Sequence, residues 1–234
     1  MLGKPHIDLS NTQNVPGHRL APADKLSLAE QAYVALRNEI IYAGLKPDEI
    51  VTESELAVRL GFSKTPVRDA LRALVKDGFI TALPRKGYVV RAIGINDIKE
   101  VLQLRMILEP AIAADAARQI TADDLEQLNE LLALQRSESS IDKMTNTARD
   151  FHIKIIQVSQ NVRAQKMLVP LFDETTRMHH VVPQTAEFLH SDEEICGHEK
   201  ILAAFAEHDE AAAEEAMRDH IEAVRQTMIR GLIG

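Results

Sequence analysis

Residues 52–90 read TESELAVRLGFSKTPVRDALRALVKDGFITALPRKGYVV, and the order of parts in this stretch decides the first half of the chain. Thr52 followed by Glu55 is a capping box that opens a short helix. Gly61 ends it, because glycine adopts the left-handed conformation of a helix stop without a Cβ penalty. Ser63 or Thr65 then caps a second helix, with Pro66 in the first turn, where its missing N–H does no harm. Val67, Ala70, Leu71 and Leu74 give that helix a buried face, and Gly78 terminates it. Residues 79–83 and 88–91 read as two small strands joined by a basic tip, Pro84, Arg85, Lys86 and Gly87. A short helix, a tight turn, a second helix and a basic-tipped hairpin are what a chain needs to place one helix in the DNA major groove and brace it with a wing.

Working outward, the net charge of −8 argues against a nucleic-acid partner only until its distribution is considered. Residues 59–91 hold eight Lys and Arg against Asp69 and Asp77, a balance of +6. Residues 94–234 hold 14 Lys and Arg against 25 Asp and Glu, a balance of −11. Phosphate contacts are local, so the basic island matters more than the total, and the acidic remainder helps fix which face meets DNA.

Residues 1–24 carry Pro5, Pro16, Gly17 and Pro22 without an apolar period and read as a mobile arm. A helix follows from Leu26, with Ala29, Tyr33, Leu36 and Ile40 on one side, and stops at Gly44 and Pro47. Beyond Gly94 the strand signals vanish. Helical segments are expected from Asn96 to about Arg118, from Thr121 to about Ser137, and over residues 141–159, 162–181, 189–207 and 209–231, with Pro110 and Pro170 inside two of them. The expected fold class is mainly α: a winged helix-turn-helix over residues 25–93, then an all-helical antiparallel bundle over residues 94–234. The single cysteine, Cys196, excludes an intramolecular disulfide and fits a reducing cytoplasm. No run of 18 apolar residues suggests a membrane span, so no membrane partner is expected.

A recognition helix needs small polar groups at its start to approach phosphate and long basic side chains behind them. Ser63, Lys64, Thr65, Arg68 and Arg72 supply both, and the hairpin tip adds Arg85, Lys86 and Gly87. The segment Ser-Lys-Thr-Pro-Val-Arg-Asp-Ala-Leu (63–71), with Leu74, Gly78 and the Pro84 to Gly87 tip, resembles the winged helix-turn-helix of the GntR family of bacterial transcription regulators. The resemblance covers residues 26–92 and implies DNA contacts at Lys64, Thr65, Arg68, Lys86 and Gly87. The usual motif has Arg where this chain has Lys64; lysine keeps the charge but lacks the bidentate fork that reads guanine, so a different base preference is expected.

Nine histidines occur. His6 and His18 fall in the arm, and His179, His180, His190 and His208 lie near expected helix ends or loops, where a solvated imidazole is the default. His152, His198 and His220 each sit inside a helix beside apolar neighbours. A lone histidine of that kind is usually a hydrogen-bonded core residue, but three on separate helices of one bundle can converge on a metal. The second half resembles the all-helical FCD domain of the FadR subfamily, in its six-helix, VanR-like branch. The resemblance rests on Leu104-Arg105-Met106-Ile107-Leu108-Glu109, on Phe151-His152 with Ser159-Gln160-Asn161, and on His198 and His220 at the family's spacing. It implies a divalent metal held by His152, His198 and His220, and an effector carboxylate facing Arg105 and the same histidines. One departure stands out: the family places an Asp ligand four residues before its first His, where this chain has Ala148. Asp150 is no substitute, since two residues along a helix turn it away from His152. Three imidazoles still suit zinc or nickel; the rival is a metal-free pocket in which they hydrogen-bond an organic acid directly.

The expected function is a cytoplasmic, ligand-responsive regulator, a repressor by default. It binds a palindromic double-stranded operator as a homodimer and senses a small carboxylate. The alternative is a metal-dependent hydrolase with an accessory nucleic-acid-binding domain, against which stands the lack of a His-Glu-x-x-His or Gly-x-Ser-x-Gly motif. A structural DNA-binding protein without a ligand is disfavoured by the histidines, because unpaired imidazoles in a core are costly.

Overall fold

The computed structural model describes residues 26–182, 185–189 and 191–233. The expected arm over residues 1–24 lies outside them, as do His6, His18 and His190. The chain divides between Ile93 and Gly94 into two compact units.

The first unit begins with α1 (Leu28–Ile41), whose N-cap Ser27 and Glu30 satisfy each other's backbone N–H groups. β1 (Ile50–Val51) leads into α2 (Glu53–Leu60), opened by the Thr52 and Glu55 capping box and closed by Gly61 at φ 70°. α3 (Lys64–Lys76) is amphipathic, with Val67, Ala70, Leu71 and Leu74 buried against α1. Tyr33 Oη donates to Asp77 Oδ2 at 2.6 Å and ties α1 to the end of α3. β2 (Ile80–Leu83) and β3 (Gly87–Val90) form the hairpin. The sheet has a third strand that the sequence reading left out: β1 pairs antiparallel with β3, placing Ile50 opposite Val89 and Val51 opposite Tyr88, in the order β1-β3-β2. Gly87 is where that packing is tightest. Its φ is +106°, and a Cβ there would lie 2.3 Å from the Val51 carbonyl oxygen.

The second unit consists of α4 (Ile95–Gln119), α5 (Ala122–Ser137), α6 (Ile141–Val158), α7 (Val162–Val181), the single turn α8 (Ala186–Leu189), α9 (Asp192–Ala206) and α10 (Glu210–Ile233). α4 and α7 run through Pro110 and Pro170 as single helices. The helix expected over residues 189–207 is α9, which starts three residues later with Ser191 as N-cap, its hydroxyl accepting from the Glu194 N–H, and the turn α8 before it was not expected. α10 packs along α4 and against α9, and α6 packs against α5 and α7. Ala113, Ala116 and Ala117 share one face of α4 and are fully buried, so that face offers a smooth surface for close packing. The core adds Leu128, Phe151, Ile156, Leu168, Phe172, Ile201, Phe205, Met217 and Ile221. The buried stripe of α4 is not wholly apolar, however: Arg105 and Glu109 lie on it between Leu102 and Ile112. α6, α9 and α10 interrupt their stripes in the same way, with His152, with Glu194 and His198, and with His220.

Candidate functional site

The sequence-derived DNA contacts are distributed over α3 and the hairpin tip. Ser63 is the N-cap of α3, but its hydroxyl makes no capping bond; Thr65 lies within the first turn. Lys64, Arg68 and Arg72 recur every fourth residue and are exposed, as are Arg85 and Lys86 at the tip, where Arg85 takes φ 64°. Arg72 makes only a loose pair with Asp69 at 3.8 Å. Arg68 is fixed: its Nε and Nη2 donate to the Glu53 carboxylate at 2.8–3.0 Å, and the Tyr88 hydroxyl approaches the same carboxylate at 3.4 Å. Glu53 therefore ties α2, α3 and β3 together, and the Arg68 guanidinium, pulling on that carboxylate, holds its pKa below the usual range. Gly87 differs from the rest. Its contact with Val51 gives it a backbone role beside any contact with DNA.

In the second unit His152, His198 and His220 converge, with one ring nitrogen of each within 4.8 Å of the others. His152 Nε2 and His220 Nε2 are 3.2 Å apart. Phe151 stacks on His198 at 4.3 Å between ring centres and holds its plane. Gly197 lets His220 close in, since a Cβ at that position would lie 2.7 Å from its Nδ1. Arg105, His152, His220, Ala148, Thr175 and Glu194 are among the residues lining a cavity of about 30 Å³. That is room for an ion with a water or two, and too little for an organic acid of several atoms unless side chains move. Arg105 is already engaged there: Nε donates to Glu109 Oε1 at 2.5 Å and Nη1 to the Thr175 hydroxyl at 3.1 Å, while its guanidinium carbon sits 5.0 Å from the Phe172 ring centre.

Three residues that sequence reasoning gave no role complete the site. Glu109 Oε2 lies 2.6 Å from His152 Nδ1. Burial alone would raise the Glu109 pKa, but Arg105 and His152 outweigh it and bring it to about 2. Gln135 Oε1 is 2.9 Å from His198 Nδ1; an amide oxygen only accepts, so that nitrogen carries the proton and Nε2 is left with its lone pair. Glu194 is buried at 3% exposure, with Oε1 3.8 Å from His198 Nε2 and Oε2 3.9 Å from His220 Nδ1. Burial pushes its pKa up to about 7, partly offset by Arg105 and Gln135. Burial also pushes His198 and His220 well below the ordinary histidine value, which keeps them in the neutral form that binds metals. Glu109 and Glu194 carried a usable signal, since each stands four residues from a residue already singled out, Arg105 and His198. Gln135 carried none.

The reading of His179 as solvated is corrected. It is buried within α7 and lines the same cavity, with Nδ1 3.1 Å from the Thr185 hydroxyl oxygen. His180 is half-buried as a residue, with its side chain 5% exposed. Asp150, in contrast, is on the exposed side of α6.

The structure supplies its own test of a metal. His198 Nε2, His220 Nδ1 and Glu194 Oε2 are all buried without a hydrogen-bond partner. Such orphans are rare and call for a bound group. Imidazole nitrogens and carboxylate oxygens around so small a space are a donor set that fits a divalent cation.

An exposed basic helix in a winged helix-turn-helix, followed by a helical unit with a small cavity lined by Arg105 and buried histidines, defines a DNA-binding transcription regulator with a domain for a small molecule. Comparison with known proteins makes this specific. Residues 28–90 match the bacterial regulatory proteins of the gntR family, and residues 100–223 match the FCD domain. The chain therefore belongs to the GntR family of bacterial regulatory proteins, in the group whose second unit is an FCD domain, consistent with the FadR subfamily. It is 30% identical to the Uxu operon transcriptional regulator of Escherichia coli strain K12 over 219 residues, 83% of this chain and 84% of that protein. It is 27% identical to the HTH-type transcriptional repressor RspR of the same strain over 207 residues, 85% of this chain and 88% of that protein. Among solved structures, E. coli McbR/YncC superposes with a TM-score of 0.72 at 26% identity, covering 86% of this chain and 98% of that one. GntR regulators bind DNA and FCD domains bind small-molecule effectors, some with a metal. These relatives are transcription regulators, and the chain is not an enzyme; the hydrolase alternative falls. Among the described residues, no helix is long and apolar enough to cross a membrane.

Proposed function

We propose that the chain is a ligand-responsive repressor that binds a palindromic operator as a homodimer and is released by a small carboxylate. Ser63, Lys64, Thr65, Arg68 and Arg72 read and grip each half-site, and Arg85, Lys86 and Gly87 of the wing follow the adjacent backbone. A divalent metal, zinc or nickel, is held by His152, His198 and His220, and when bound it supplies a positive centre for the effector's carboxylate. Arg105 faces that carboxylate from α4, and Glu109 steadies His152 from behind. The observation that carries this reading is the convergence of three buried imidazoles within 4.8 Å of one another, two of which, His152 and His220, line one cavity with Arg105. The repressor assignment is supported by the name of the RspR relative.

Because the cavity has little free volume, an effector of several atoms has to displace side chains or part helices to enter. Coupling between two sites of this kind is typically worth about 1–3 kcal/mol. Selection of binding sites from a random DNA library with the purified protein tests the first half. A two-fold symmetric sequence is expected, and an asymmetric one would overturn the dimeric reading. Arg68→Ala is expected to weaken binding to the selected site by on the order of 100-fold, since one good bidentate contact is worth about 1–3 kcal/mol and two half-sites each lose one. Metal analysis of untagged protein and a thermal-shift screen of small carboxylic acids, with and without zinc, test the second half. No bound metal and no shift with zinc or nickel would leave only direct hydrogen bonding by the histidines.

A further inference from the structure

Three neutral imidazoles give a divalent cation its donors but none of the negative charge that a buried site needs. Two buried carboxylates stand near the histidines, and they differ in what they already hold. Glu109 is neutralised by Arg105 at 2.5 Å, and its other oxygen is already taken up by His152 Nδ1 at 2.6 Å. It is placed to orient an imidazole rather than to ligate. Glu194 is among the ionisable residues buried nearly completely, its Oε2 has no hydrogen-bond partner, and the groups nearest to it in the ion-pair geometry are His198 and His220. It is one turn before His198 on the same face of α9, so a single helix brings its carboxylate to 3.8 Å from His198 Nε2. Ala148, on α6, lines that cavity with a methyl group.

We propose that Glu194 is the anionic ligand of this site, so that the cation is bound by His152, His198, His220 and a carboxylate delivered by α9 rather than by position 148. The inference rests on the metal reading above and deepens it. Its physical basis is that the two unmet needs cancel: a buried carboxylate oxygen without a hydrogen-bond partner and a cation held only by neutral donors each cost free energy alone, and together they satisfy one another. The resulting donor set of three nitrogens and one oxygen is one that zinc accepts readily.

The test uses the full-length untagged protein, stripped with a chelator and titrated with zinc, for wild type, Glu194→Gln and the double variant Glu194→Gln with Ala148→Asp. Wild type is expected to bind one zinc per chain. Glu194→Gln is expected to bind at least about tenfold more weakly, since even outer-shell partners of a metal cost about 10–100-fold when removed. The double variant is expected to recover most of that loss by offering a carboxylate from α6. Cobalt(II) substitution gives a readout independent of affinity, because loss of a ligand changes the visible spectrum. The variants' folding is checked by melting without metal, where Glu194→Gln removes an unpaired buried charge and is expected to melt no lower than wild type. Zinc affinity and a cobalt spectrum unchanged in Glu194→Gln would overturn the role of Glu194 while leaving the three-histidine site standing. Failure of wild type to take up zinc, nickel or cobalt would overturn both.

Discussion

The two units use the same pair of residues in opposite settings. In the winged unit Arg68 is joined to Glu53 with side chains 47% and 25% exposed, and Lys64, Arg72, Arg85 and Lys86 stand in solvent around it. In the helical unit Arg105 is joined to Glu109 at 4% and 3% exposure, with three histidines and Glu194 enclosed beside it. A surface charge keeps most of its hydration and is free to exchange a carboxylate for a phosphate. A buried charge has lost that hydration and is stabilised only by the partners packed around it. The first arrangement suits a face that meets a large polyanion. The second suits a cavity that selects one small ligand and reports its arrival through packing.

The largest effect should come from breaking the buried member of this comparison. Arg105→Ala leaves the Glu109 carboxylate without its main counter-charge and is expected to destabilise the helical unit by about 3–5 kcal/mol. Arg68→Ala, which breaks the exposed pair, should change stability by less than about 1 kcal/mol while weakening operator binding by on the order of 100-fold. Chemical denaturation of both variants checks the contrast, and equal losses would mean that burial does not distinguish the two pairs. A consequence follows for mapping the effector site. Loss of effector response in Arg105→Ala would mix a missing contact with a loosened fold, so Arg105→Lys, which keeps the charge, is the better probe of recognition.

The winged unit was legible in the sequence because its signals are local and each has one meaning. Thr52 and Glu55 close a reciprocal cap, Gly61 takes the left-handed turn, and Val67, Leu71 and Leu74 fall on one face. β1 was missed because Ile50 and Val51 are too short a run to show alternation; they are a strand only because β3 lies beside them. In the helical unit, Arg105, His152, His198 and His220 were reachable through the family resemblance, whereas their partners depend on which helices pack together. Glu109 and Glu194 had the right spacing, but spacing alone does not say that a carboxylate is buried. His179 was misread for the complementary reason. Its place near a helix end suggested solvent, and only the fold reveals that this end is covered.

A smaller effect is expected at Gly87, where the winged unit is as tightly packed as a core. Gly87→Ala forces a φ near +106° on a residue with a side chain and drives its Cβ into the Val51 carbonyl. A loss of roughly 2–3 kcal/mol is expected from the strained backbone and the disturbed pairing of β1 with β3. Operator binding should fall with it. If binding falls but the melting temperature does not, Gly87 acts as a DNA contact alone, and the contrast between an exposed and a packed role at the wing tip disappears.

The smallest effect separates the units by pH. The described part of the winged unit contains no histidine, so its stability should be level between pH 8 and pH 5. His179, in the helical unit, is pushed down to about 3, chiefly by burial, while Thr185 pulls the other way and Arg105 and His180 add to the lowering. The folded state therefore holds this imidazole neutral while the unfolded chain protonates it near pH 6.5. Unfolded chains bind the extra proton throughout that window, so the stability tied to His179 is complete above about pH 6.5 and is lost as the pH falls toward 3. At about 1.4 kcal/mol per unit, the loss reaches about 2 kcal/mol at pH 5. His179→Asn, which keeps a polar atom near Thr185 but does not titrate, isolates this contribution. Arg105, Arg149, His152, Glu194 and His220 line the same cavity and are common to both proteins. Denaturation of the two proteins in the presence of EDTA should therefore show wild type losing about 2 kcal/mol relative to the variant between pH 8 and pH 5. Parallel pH profiles would mean that His179 reaches solvent in both states, and its burial beside Thr185 would be wrong.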